Sequence, residues 1–112
     1  MQQNNYPSNL WNLVETELKT ARQARSTGNE GKARVCARRA AGKAVSAAGL
    51  GSFTPLVAIQ NVMSIPDLPA GITSACCNLL KTVDDTYQLD EGIDLISDSE
   101  TLVKFLMDYK QD

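Results

Sequence analysis

The side chains that could do chemistry in this 112-residue sequence are carboxylates, amines, guanidiniums and three thiols; there is no histidine. Without an imidazole, no Cys–His or Ser–His nucleophile can be assembled. The thiols Cys36, Cys76 and Cys77 form no CxxC pair, which argues against a zinc site of ordinary composition. They read as reduced, small core hydrophobes, with the vicinal pair pointing in different directions on a helix. Paired carboxylates at Asp84 and Asp85, and at Asp90, Glu91 and Asp94, have the right type for general acid–base work. They lie in a polar stretch where such groups are ordinarily solvated. The same stretch, DTYQLDEGIDLI, does not follow the ligand order of a calcium loop. GLGS at 49–52 follows a helical segment and lacks the lysine of a phosphate-binding loop, so it reads as a helix stop. No catalytic constellation and no cofactor is expected.

What remains is charge. Between Lys19 and Lys43 lie eight of the eleven basic residues against the single acid Glu30, whereas nine of the thirteen acids fall between Asp84 and the C-terminus. Two readings follow: attraction between the halves, within a molecule or across a dimer, or a basic surface for a phosphate-bearing ligand. The second makes Arg34, Arg38, Arg39 and Lys43 the candidate ligand- or anion-binding residues. A dedicated nucleic-acid binder would carry a clear basic excess, but the isoelectric point is near 5.0. Trp11, Tyr6, Tyr87 and Tyr109 do not interleave the basic residues as a stacking platform would.

The elements that must position these residues are helices. After Pro7, with Ser8 or Asn9 as cap, Leu10, Leu13, Val14, Leu18 and Ala21 recur at helical spacing, with Trp11 at the edge. STGNEG breaks the chain. A second helix runs from Asn29 or Glu30 to Ala48 and ends at GLG. Its Ala33, Ala37, Ala40, Ala41, Ala44, Ala47 and Ala48 share one broad face. Arg34 and Arg38 border that face on one side, and Lys32, Arg39 and Lys43 on the other. Gly42 falls on the outward side, where close approach of another chain or a ligand would account for it and an exposed position free to drift would do so equally. PLVAIQNVMS predicts a short third helix opened by Pro55. A fourth is expected from Pro69 or Ala70 to Tyr87, with Ile72, Ala75, Cys76, Leu79, Leu80 and Val83 inward. A fifth is opened by a Ser97–Glu100 capping box and carries Leu102, Val103, Phe105, Leu106 and Tyr109. No alternating strand pattern competes. The fold class is all-α: a four- to five-helix bundle in a single domain over residues 1–112, built on an N-terminal antiparallel hairpin, with residues 1–7 a flexible lead.

The stretch ARQARSTGNEGKARVCARRAAGKAVSAAGL resembles the first helical hairpin of HEPN domains, small α-bundles found beside nucleotidyltransferases and in toxin–antitoxin systems. Ala33, Ala37, Ala40, Ala41, Lys43 and Ala44 occupy places comparable to that family's alanine-rich second helix. LPAGITSACCNLLKTVDDTYQL is similar to its third long helix and SDSETLVKFLMDYKQD to its last. The resemblance implies a dimeric domain, a partner such as a nucleotidyltransferase, and in active members a ribonuclease motif of an arginine followed a few residues later by a histidine. No position here can carry that motif, and the corresponding region is acidic enough to repel an RNA backbone. A tetratricopeptide unit is also similar, but such arrays need about three units and only one is found here.

No apolar run approaches the roughly 20 residues that span a bilayer, and MQQNNYPSNLW lacks the order of a signal peptide. A cytoplasmic location without membrane contact is therefore expected. The expected role is a non-catalytic, HEPN-like binding module, homodimeric and binding a nucleotide or a protein. The rivals are an RNA-binding protein or toxin-type nuclease with an unrecognised site, and a tetratricopeptide-type adaptor.

Overall fold

The computed structural model describes residues 6–51, 54–81 and 92–109. The described residues form five helices and no strand: α1 (Tyr6–Ser26), α2 (Glu30–Ala47), α3 (Pro55–Val62), α4 (Ala70–Leu80) and α5 (Leu95–Asp108). The fold is an all-α bundle. α1 and α2 form an antiparallel hairpin, and α2 also packs against α3 and α5, which makes it the central helix; α4 bridges α3 and α5. All five helices contribute to one hydrophobic cluster.

The centrality of α2 follows from its composition. Ala33, Ala37, Ala40, Ala41 and Ala44 are each fully buried; side chains ending at Cβ let three neighbouring helices reach the same backbone. Asn29 caps the helix by accepting the Lys32 amide at 3.1 Å. At the other end Gly49 takes φ +82°. The Leu50 amide then donates to the Val45 carbonyl and the Gly49 amide to Ser46, the paired bonds of a Schellman stop.

Several boundaries differ from the sequence expectation, for local reasons. α1 starts at Tyr6, not Ser8 or Asn9, so Pro7 lies in the first turn, where its missing N–H is not needed. The lead expected over 1–7 thus lies outside the described residues only as far as residue 5. The inward face of α1 is Val14, Glu17, Leu18, Ala21 and Ala24, while Leu13 is 46 % exposed. α4 ends at Leu80, with Lys81 extended; Val83 and the rest of the expected fourth helix lie outside the described residues. The cap of α5 is Asp94, whose Oδ1 accepts the amides of Ile96 and Ser97 at 3.0 and 3.2 Å, so the helix opens at Leu95 ahead of the Ser97–Glu100 box. An Asx cap immediately before Leu95 and Ile96 outcompeted the serine three residues after it. Gly42 is buried, not outward, because the first residue of α3 sits on it.

Candidate interaction surface

Each basic residue proposed as an anion ligand has a partner inside the fold. Arg38 donates from Nε to the Leu79 carbonyl at 2.8 Å and from Nη2 to the Lys81 carbonyl at 2.6 Å. A cation at the C-terminal carbonyls of α4 is where a helix dipole favours positive charge. Burial, and then neighbouring Arg34, lower the Arg38 pKa from its ordinary value, and the guanidinium remains charged. Arg34 lies 3.9 Å from Glu30. Arg39 and Lys43, one turn apart, both reach Oε2 of Glu17, at 3.1 and 3.2 Å. The structure therefore separates the four: Arg38 faces the end of α4, Arg34 lies by Glu30 on its own helix, and Arg39 and Lys43 face α1.

Glu17 is the residue that sequence reasoning missed. It is buried on the inner face of α1. The signal was available: Glu17 stands three residues after Val14 and four before Ala21, within an apolar stripe, while Arg39 and Lys43 stand at helical spacing on the hairpin partner. A carboxylate on a core face calls for a cation opposite.

The sign separation along the chain is bridged within the molecule. Arg22 of α1 pairs with Glu100 of α5. Arg25 makes a two-pronged contact with Glu30, Nε–Oε1 at 3.0 Å and Nη2–Oε2 at 2.7 Å, and reaches Asp94 Oδ1 at 2.9 Å. One guanidinium thus ties the end of α1 to the start of α2 and to the cap of α5. Hydrogen bonding to Arg25 holds Glu30 below the usual carboxylate range. For Asp94, burial pushes upward, but the bonds from Arg25 and the Ser97 amide overcome it and the net direction is down. In contrast, burial raises the Asp98 carboxyl against a bond from Asn78.

Of the other candidates, Cys36 and Cys76 are buried and Cys77 is exposed; burial, with Cys77 beside it, pushes the Cys76 thiol up to about 11. Both buried thiols act as core filler. Asp84, Asp85, Asp90 and Glu91 lie outside the described residues. Among the described residues no three carboxylate or thiol side chains gather as a metal-binding group, and no helix is long and apolar enough to cross a membrane.

Among the described residues, part of what the fold leaves uncovered is apolar. Val35 of α2 is 50 % exposed and Leu56 of α3 44 %. Together with Pro55 and Leu80 they line an open groove of about 500 Å³ between α2, α3 and the end of α4, whose charged residues are Arg38, Arg39 and Lys81. A second depression of about 530 Å³, lined by Leu10, Leu13, Gly42, Lys43 and Ser46, shares Arg39 and Pro55 with the first. The two form one elongated apolar strip. Among the described residues, every charged one lining it is basic. No family model matches the chain, and no curated protein or solved structure matches it either.

The stretches PLVAIQNVM and LVKFLM are apolar enough to call for burial, which a second copy would supply. Within one chain, α3 buries Ala58, Ile59 and Val62, and α5 buries Leu102, Val103 and Leu106. Among the described residues the strip is one face on which a second copy would dock.

Proposed function

We propose that this chain is a non-catalytic helical interaction module that engages another protein chain through the strip over α2 and α3. The observation that carries this reading is that exposed Leu13, Leu56 and Val35 line two depressions that share Arg39 and half-buried Pro55. Contiguous apolar surface of this kind is typical of protein-contact sites. The basic residues expected to meet a nucleotide or nucleic acid are divided between Glu17, Glu30 and the end of α4, which spreads their charge instead of gathering it round one phosphate. They set the sign of the surface more than they offer a grip on phosphate. The alanine-faced hairpin supports a HEPN-like relationship, for which a nucleotidyltransferase is one partner class, without that family's ribonuclease pair.

The test against the rival classes is direct. Purified protein is incubated with single-stranded RNA, and isotopically labelled protein is titrated with ATP while amide resonances are followed. The RNA should stay intact and the shifts of Arg34, Arg38, Arg39 and Lys43 should not saturate. RNA cleavage abolished by a single substitution, or a saturable ATP response at those positions, would replace this reading with an enzymatic or nucleotide-binding one.

A further inference from the structure

We infer that the occupant of the α2–α3 strip is an acidic amphipathic helix of a partner protein. This deepens the interaction reading and rests on it. The shape supports a helix over a compact small molecule: two depressions, joined at Arg39 and Pro55, extend one apolar line from α1 across α2 to α3. A helix with side chains at i, i+3, i+4 and i+7 lays such a line into such a groove. The charge supports an acidic sequence. Arg39 and Lys43 share the single carboxylate of Glu17, which leaves one net positive charge on that side of the strip. Arg38, held by the backbone carbonyls of Leu79 and Lys81, adds charge of the same sign on the other side.

Carboxylates flanking the partner's apolar stripe would meet these margins, while lysines there would be repelled. Apolar contact then supplies affinity, and charge supplies partner choice and orientation. The same charge disfavours a second copy of this chain. In a two-fold contact the strip would face itself and set its basic margins against their own copies.

The probe is a synthetic helical peptide with leucines at i, i+3, i+4 and i+7 and glutamates elsewhere, paired with a second peptide in which lysines replace the glutamates. Amide shifts of the labelled full chain are followed as each is added at moderate salt. The acidic peptide should give saturable shifts at Val35, Arg39, Gly42 and Leu56, weakening as salt rises. The lysine peptide should bind at least about tenfold more weakly. Val35→Glu and Leu56→Glu should each weaken the acidic peptide by about tenfold or more, since each removes apolar contact and adds a like charge. Both side chains are half exposed, so the fold should survive; Leu56→Gln is the milder variant should melting show otherwise. Equal binding of both peptides, absence of saturable shifts, or binding unchanged in Leu56→Glu would overturn the inference. A doubled mass by light scattering at micromolar protein, abolished by Leu56→Glu, would overturn it in favour of a second copy. If the peptides fail while a partner chain can still be trapped at positions 35 or 56, the partner chemistry is wrong and the interaction reading stands.

Discussion

Gly42→Ala tests the packing of α3 on α2, because two effects of opposite sign meet at one methyl group. In a helix interior, alanine is favoured over glycine by about 1 kcal/mol. Against that, a Cβ on Gly42 would lie 2.9 Å from the Cα of Pro55 and 3.3 Å from its Cβ. Carbon atoms in contact settle at about 3.5–4.0 Å, so the start of α3 would have to retreat by roughly 1 Å. It cannot do so freely: Pro55 is the first residue of α3, and Ala58, Ile59 and Val62 of that short helix are locked in the core. Overpacking of this kind costs about 1–3 kcal/mol. The net expectation is a loss of about 1 kcal/mol, a fall in melting temperature of roughly 4 °C for a domain of this size. Gly71 supplies the control. It lies in α4 with nothing within 4 Å of its would-be Cβ, so Gly71→Ala should be neutral or stabilising. Both variants are compared by urea denaturation and thermal melting. A Gly42→Ala protein as stable as wild type or more so would refute the close approach of α3.

Other consequences follow from the same contacts. Arg38→Ala should cost about 1–3 kcal/mol and speed amide exchange at the end of α4, and Arg38→Lys should rescue little, because two carbonyls are held by one planar fork. Arg25→Gln should destabilise by at most about 1 kcal/mol at neutral pH, since the groups it ties are well exposed. Because Glu30 and Asp94 titrate below their ordinary values in the fold, that stability is present above about pH 4 and lost as pH falls further; the gap between variant and wild type should close in acid. Asp98, shifted upward by burial, has the opposite sign: Asp98→Asn should raise stability at pH 7 and have no effect near pH 3, as measured by denaturation at both values. Ala40→Leu, at the fully buried centre of the α2 face, should cost about 1–3 kcal/mol by overpacking, and an unchanged midpoint would place that face in solvent.

The helices were legible because their periodicity and punctuation are local. The alanine face of α2, the Asn29 start and the Gly49 stop all depend on residues within a turn or two of each other. Gly42 was legible only as an anomaly, since its reason, Pro55, is set by how the following loop returns the chain. The site was less legible. The sequence shows Arg34, Arg38, Arg39 and Lys43 as charges but not their partners, and three of those partners, Glu17 and the carbonyls of Leu79 and Lys81, come from α1 and from the end of α4. A backbone carbonyl exposed by the end of a helix leaves no mark in a sequence. Likewise, whether Val35 and Leu56 stay uncovered depends on where α3 and α4 come to rest, which hydrophobic periodicity does not specify.

The central claim is that the strip over α2 and α3 faces a partner chain. It is tested most directly by placing a photoreactive phenylalanine analogue at position 35, 56 or 104 of the full chain in its own cells. Illumination should trap the same discrete partner from positions 35 and 56 and none from position 104, on an exposed part of α5. No adduct from 35 or 56, or an equal one from 104, would contradict the account.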